Sequence, residues 1–127
     1  MRALVVDDSR SMRSIITKQL KELGFEVFDA ENGQEAMAKL HNTKGIHLVL
    51  LDWNMPEMDG LEVLSLIRSE PEYKDVRVMM VTTESEMSQV AIALEAGASE
   101  YLMKPFDREA LLEKLLLLGM DPSTRNI

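Results

Sequence analysis

Leu48-Val49-Leu50-Leu51-Asp52-Trp53-Asn54-Met55-Pro56 is the stretch on which the fold turns. Four aliphatic residues in a row end in one carboxylate. The run is short and Pro56 breaks the chain soon after, so it reads as a strand buried on both faces rather than a helix. Asp52 then lies at the carboxyl end of a central strand. In open α/β sheets that edge is where ligands bind.

The flanks repeat the pattern. Upstream, Ala3-Leu4-Val5-Val6 is a second buried strand, ending in Asp7-Asp8. Met12, Ile15, Ile16, Gln19, Leu20 and Leu23 then recur at helical spacing, and Gly24 closes the helix. Phe25 to Ala30 alternates like a more exposed strand. Asn32 and Glu35 are spaced as a helix N-cap and its reciprocal partner, opening a short helix through Leu40, with a turn from His41 to Gly45. Downstream, Leu61, Val63, Leu64 and Ile67 make a helix stopped near Pro71. Val76 to Val81 is another apolar strand, ending in Thr82-Thr83. Val90, Ala91, Leu94 and Ala98 suggest a helix closed by Gly97. Tyr101-Leu102-Met103 is the last strand, followed by Lys104-Pro105. Asp107 caps a final helix, with Phe106 and Leu111 stapled across its start. Leu112, Leu115 and Leu116 are expected to form its inner face.

The order is β-α five times over. Such alternation predicts an α/β fold: a five-stranded parallel sheet, doubly wound, with helices on both faces and right-handed crossovers. With 127 residues and no linker or repeat, the chain reads as one domain over 1–120 and a short polar tail over 121–127. A 46% hydrophobic and 28% charged composition is that of an ordinary soluble globule. The absence of cysteine excludes a disulfide framework, a thiolate nucleophile and a zinc-thiolate site. No apolar run approaches the ~18 residues of a membrane span. Met1-Arg2 leads directly into a strand instead of a signal pattern, so a cytoplasmic protein is expected. A net charge of −8 argues against nucleic acid or an anionic membrane as direct partners.

In a parallel sheet all carboxyl ends share one edge. Asp7, Asp8, Asp52, Thr82 and Lys104 could therefore meet in one crevice. Taken alone, Asp7-Asp8 is more simply a strand-end turn and helix cap, Lys104 a surface lysine and Thr82 a strand end. With Asp52 at the same edge the balance shifts. Three ionised carboxylates repel unless a cation joins them. An all-oxygen cluster suits a hard divalent ion, and magnesium fits best because it needs few carboxylates beside waters and a phosphate oxygen. Asp52 could be a ligand only or a nucleophile, since carboxylates do form aspartyl phosphates. The Lys104 ammonium and Thr82 hydroxyl could then steady phosphoryl oxygens. Lys104-Pro105 can take either peptide isomer, and a cis bond would aim Lys104 back at the crevice.

These residues resemble a known family, the bacterial response-regulator receiver domains, and among them most closely the stand-alone chemotaxis regulators. The matching pieces are Val5-Val6-Asp7-Asp8-Ser9 with Met12-Arg13, and Asp52-Trp53-Asn54-Met55-Pro56 with Met58-Asp59-Gly60. Met80-Val81-Thr82 with Glu84, Ala96-Gly97-Ala98-Ser99, and Tyr101 before Lys104-Pro105-Phe106 follow in order. The resemblance runs from about Leu4 to Met120 without large gaps. It implies a flavodoxin-like sheet of strand order 2-1-3-4-5. It also implies that Asp52 is phosphorylated, with Thr82 and Lys104 gripping the phosphoryl group. Asp8 would hold magnesium directly, Asp7 more through water, and Asp52 and the Asn54 backbone carbonyl would complete the protein ligands. Trp53 would report binding by fluorescence. Tyr101 would change rotamer with Thr82, although by itself it reads as a half-buried strand tyrosine. The implied partners are a histidine kinase and an output protein on the face of the fourth helix, fifth strand and fifth helix, the flagellar switch being one candidate. A monomer is expected.

The chain departs from the family where a small residue often follows the switch threonine. Here Thr83 stands, and it could narrow access to the acceptor. The fourth helix carries Glu86 and Glu95 with few basic residues, so the flagellar partner is not secured. Alternatives stay open: a phosphorelay carrier passing its group to a histidine phosphotransfer protein, or an aspartate-nucleophile phosphatase. The phosphatase usually has a second acid two residues after its nucleophile, where this chain has Asn54. A flavin-binding flavodoxin relative is a further reading, but the chain has no hydroxyl- and glycine-rich phosphate loop after its first strand.

Overall fold

The computed structural model describes residues 1–120, apart from the side chains of Glu84 and Ser85. The polar tail expected at 121–127 lies outside the described residues. Among those described, strands β1 (Arg2–Val6), β2 (Glu26–Ala30), β3 (Ile46–Asp52), β4 (Arg77–Thr82) and β5 (Glu100–Met103) alternate with five α-helices. The helices are α1 (Arg10–Glu22), α2 (Gly33–Asn42), α3 (Gly60–Ser69), α4 (Val90–Glu95) and α5 (Arg108–Leu117). Two 3-10 turns, Pro71–Tyr73 and Glu84–Gln89, precede β4 and α4.

The sheet is wholly parallel in the order β2-β1-β3-β4-β5, the doubly wound flavodoxin-like arrangement. β3 is central, and its side chains alternate between two cores. Val49 and Leu51 join Leu4, Val6, Val78, Met80, Leu64 and Ile67 on the side covered by α2, α3 and α4. Leu48 and Leu50 join Ala3, Val5, Met79, Val81, Ile16, Leu20, Leu111 and Leu115 under α1 and α5. Every residue from Leu48 to Leu51 is buried, so the unbroken apolar run reports two covered faces.

The end signals work as their chemistry dictates. Asn32 accepts from the Glu35 N–H at 2.8 Å and Asp107 from Ala110 N–H at 2.8 Å, each opening a helix. Gly24 and Gly97 close α1 and α4 at positive φ. Phe106 and Leu111 pack into the same core. The inner face of α5 differs from the expectation. Leu111 and Leu115 are fully buried, Leu112 is half-buried and Leu116 is 49% exposed. Once Asp107 sets the start, Leu111 and Leu115 share a face one turn apart, and the leucines next to them point about 100° away. Ile15 on α1 is likewise exposed, and its neighbour Ile16 carries the packing. Arg68, at the end of α3, fastens the far side: it donates to the carbonyls of Gly97 (2.8 Å) and Tyr73 (3.0 Å) and to Ser99 Oγ (3.4 Å).

Candidate functional site

The carboxyl edge of the sheet gathers the acids. Asp7 follows β1 and is buried. Its N–H donates to the Ala30 carbonyl at 3.1 Å, continuing the ladder with β2, and its own carbonyl accepts from Arg13 Nη1 at 2.9 Å. Arg13 also pairs with Asp29 at 3.0 Å. Asp7 Oδ1 accepts from the Ser9 N–H at 2.8 Å, and Ser9, not the acidic pair, caps α1 by accepting from Met12 N–H. Asp8 is exposed beside it.

Asp52 ends β3 and is 4% exposed. The chain beyond it is held tightly. Trp53, also buried, donates its N–H to Val81 at 3.1 Å, and Gly60 donates its N–H to the Trp53 carbonyl at 2.8 Å. A β-carbon on Gly60 would run into the Asp52 carbonyl oxygen and lie 2.9 Å from Trp53 Cα. Only glycine lets α3 start this close to the end of β3. The intervening loop exposes Asn54 and carries Glu57 at φ 68°, in the left-handed region.

Lys104 follows β5 and crosses to the acids. Its N–H donates to the Thr82 carbonyl at 2.6 Å, and its bond to Pro105 is cis. Its ammonium stands 3.1 Å from Asp52 Oδ1 and 3.3 Å from Asp7 Oδ2. Asp7, Asp8 and Asp52 each offer an oxygen within 4.8 Å of the others.

Burial first, then the charge of Asp7, push the Asp52 carboxyl up to about 6, against the pull of the Lys104 hydrogen bond and charge. Burial opposes the charge on Lys104, yet its hydrogen bond and attraction to Asp52, with Asp7 adding, hold its ammonium above the ordinary lysine range. One ammonium therefore faces three carboxylates, two of them buried. Such a donor set fits a hard oxygen-seeking dication and could hold a metal ion.

Thr82 reaches the same edge and is fully buried, but its hydroxyl is turned elsewhere. It donates to the sulfur of Met87 at 3.7 Å. Thr83 is exposed. Its N–H and Oγ both donate to Glu86 Oε1, at 2.9 and 3.2 Å, fixing the 3-10 turn that carries Met87. Tyr101 is half-buried, with the Lys114 ammonium 4.1 Å above its ring. Lys114 also pairs with Glu100 at 3.2 Å.

Asp7, Asp8, Asp52 and Lys104 thus come together as their strand-end positions implied. Thr82 and Thr83 sit at the rim, and Tyr101 lies one strand away. The sequence assigned no task to Ser9, Gly60, Met87 or Lys114. Ser9 had a visible cue, a hydroxyl just before a helical run. Met87 had none, because its contact depends on how a short turn folds back.

Residues 3–116 match the response regulator receiver domain family, and the chain belongs to it. Its relatives within that family include chemotaxis proteins. It is 45% identical over 121 residues to chemotaxis protein CheY1 of Helicobacter pylori, covering 94% of this chain and 98% of that one. It is 46% identical over 116 residues to a chemotaxis protein CheY homolog of Campylobacter jejuni, covering 91% and 89%. Among solved structures, chemotaxis protein CheY4 of Vibrio cholerae superposes with a TM-score of 0.85 at 35% identity, covering 92% of this chain and 97% of that one. No helix among the described residues is long and apolar enough to cross a membrane.

Proposed function

We propose that this receiver domain is a phosphorylation-controlled switch in chemotaxis, with Asp52 as the acceptor and residues 1–120 as the working unit. The observation that carries the reading is the Lys104 ammonium poised between Asp52 and Asp7, with Asp8 alongside. An Asp52 oxygen attacks the phosphorus of a kinase phosphohistidine. The P–N bond breaks, and the imidazole leaves with a proton. Lys104 neutralises charge on the transferring group, and the Thr82 hydroxyl turns to donate to one of its oxygens. Asp7, Asp8, Asp52 and the Asn54 carbonyl would hold magnesium, which when bound supplies positive charge to the phosphoryl oxygens. Thr83 at the rim narrows the approach of donor and water.

When Thr82 turns, Tyr101 follows, and the face of α4, β5 and α5 changes shape. Supporting an output role there, five of the seven large apolar residues exposed among the described residues lie on these elements: Ile92, Leu94, Met103, Leu116 and Leu117. The partners are a histidine kinase in the cytoplasm and an output protein on that face, with a flagellar switch component the first to try. The protein acts as a monomeric signal carrier and not as a turnover enzyme.

The test is phosphoryl incorporation from a phosphohistidine donor with and without magnesium. The bound group should be labile to hydroxylamine, as an acyl phosphate is. Asp52→Asn should abolish incorporation, and retained label in that variant would overturn the assignment. Onward transfer to a histidine phosphotransfer domain would instead mark a relay carrier.

A further inference from the structure

Thr82 is fully buried, and a buried hydroxyl needs a partner. It has one proton, so it can donate to one acceptor at a time. In this structure that acceptor is Met87 Sδ, 3.7 Å away, on the turn that leads into α4. We propose that Met87 is the resting-state latch of the switch, its sulfur holding the Thr82 proton away from Asp52 until a phosphoryl oxygen claims it. This inference rests on the phosphorylation reading above and names a residue that regulates it.

The chemistry suits a latch. A thioether is a weak acceptor, enough to satisfy a buried hydroxyl but easily surrendered. A phosphoryl oxygen is anionic, and hydrogen bonds to ionised acceptors are roughly twice as strong as neutral ones. The sulfur is also held in place. Glu86 accepts from both the N–H and the hydroxyl of Thr83, and its own N–H donates to the Thr83 carbonyl at 3.0 Å. The residue after Glu86 is thereby set next to Thr82.

Leucine in place of Met87 keeps most of the volume and removes the acceptor. The resting state would then contain an unsatisfied buried hydroxyl, whereas the phosphorylated state, with Thr82 bonded to the phosphoryl group, would not. A cost confined to the resting state raises the apparent affinity for any ligand of the active state.

The experiment is calorimetric titration of the full chain with beryllofluoride and magnesium. Met87→Leu should bind about fivefold or more tightly than the parent, the scale set by an unsatisfied buried hydroxyl. In a Thr82→Ala background, which has no proton to latch, Met87→Leu should change nothing. In the unaltered protein, the Met87 methyl resonance should move when beryllofluoride binds. Equal affinities for parent and Met87→Leu, the same gain without Thr82, or an unmoved methyl signal would each overturn the latch. A parent that binds no beryllofluoride at all would overturn the phosphorylation reading itself, and the latch with it.

Discussion

The Lys104 ammonium lies 3.1 Å from Asp52 and reaches Asp7 from the same position, at 3.3 Å. One cation from the fifth strand's end thus ties together acids from the first and third. Removing it leaves those acids facing each other alone. In Lys104→Met, Asp52 should titrate above its value of about 6 in the parent, because the hydrogen bond and charge that pull it down are gone. Carboxyl-carbon NMR in metal-free buffer reads this directly. An unchanged Asp52 titration would mean the contact is not made in solution.

The raised Asp52 pKa also sets a pH dependence of stability. An unfolded aspartate titrates near 3.8 and the folded one near 6. Between those values the folded state binds more protons, so the metal-free protein loses stability as pH rises through that window. The loss is on the order of 3 kcal/mol for a shift from 3.8 to about 6. Lys104 acts in the same direction at the other end of the scale: its raised pKa gives stability that is complete below the ordinary lysine range and lost only at strongly alkaline pH. Urea unfolding without metal should show the acid-side slope, and Asp52→Asn should flatten it. Divalent metal should recover stability at neutral pH in the parent and less in the variant.

Gly60→Ala should strike the site through the backbone. The added carbon meets the Asp52 carbonyl and Trp53 Cα, neither of which can swing aside. A loss of about 1–3 kcal/mol is expected, as for other overpacked positions. Thermal melting measures it, and metal affinity should fall in parallel because Asp52 shifts with its strand. A variant with parental melting temperature and metal affinity would contradict the close approach.

Glu57 offers a gain. It is exposed and sits at φ 68°, which costs an ordinary side chain roughly 1–2 kcal/mol. Glu57→Gly should recover about 1 kcal/mol in urea unfolding, net of the extra freedom glycine brings to the unfolded chain. Destabilisation instead would show that the Glu57 side chain makes a compensating contact.

Much of this is legible in the sequence. The run from Leu48 to Leu51 announces a strand covered on both sides, and four strand ends with polar residues announce one crowded edge. Caps with a single chemical meaning, such as Asn32, Asp107, Gly24 and Gly97, held. The α5 face is ambiguous in the sequence because leucines fill six of the eight positions from Leu111 to Leu118. Periodicity chooses a face poorly when leucines fall on several faces, and the start fixed by Asp107 selects Leu111 and Leu115. The direction of the Thr82 hydroxyl was illegible for another reason. It is a rotamer choice, decided by a sulfur five residues away, and the Thr83–Glu86 capping box that opens the intervening turn does not by itself place that sulfur.

Helix α3 begins against the end of β3 at Gly60 and ends with Arg68 clasping the loop between α4 and β5. It is a strut about 15 Å long. One flank of the α4–β5 face is thereby braced to the acid pocket and inherits its position. The opposite flank is joined to the pocket through the turn held by Glu86, with the thioether contact of Met87 on Thr82 among its links. The domain is a lever with a stiff arm and a compliant one, and its sensitivity to substitution should be concentrated in the compliant arm.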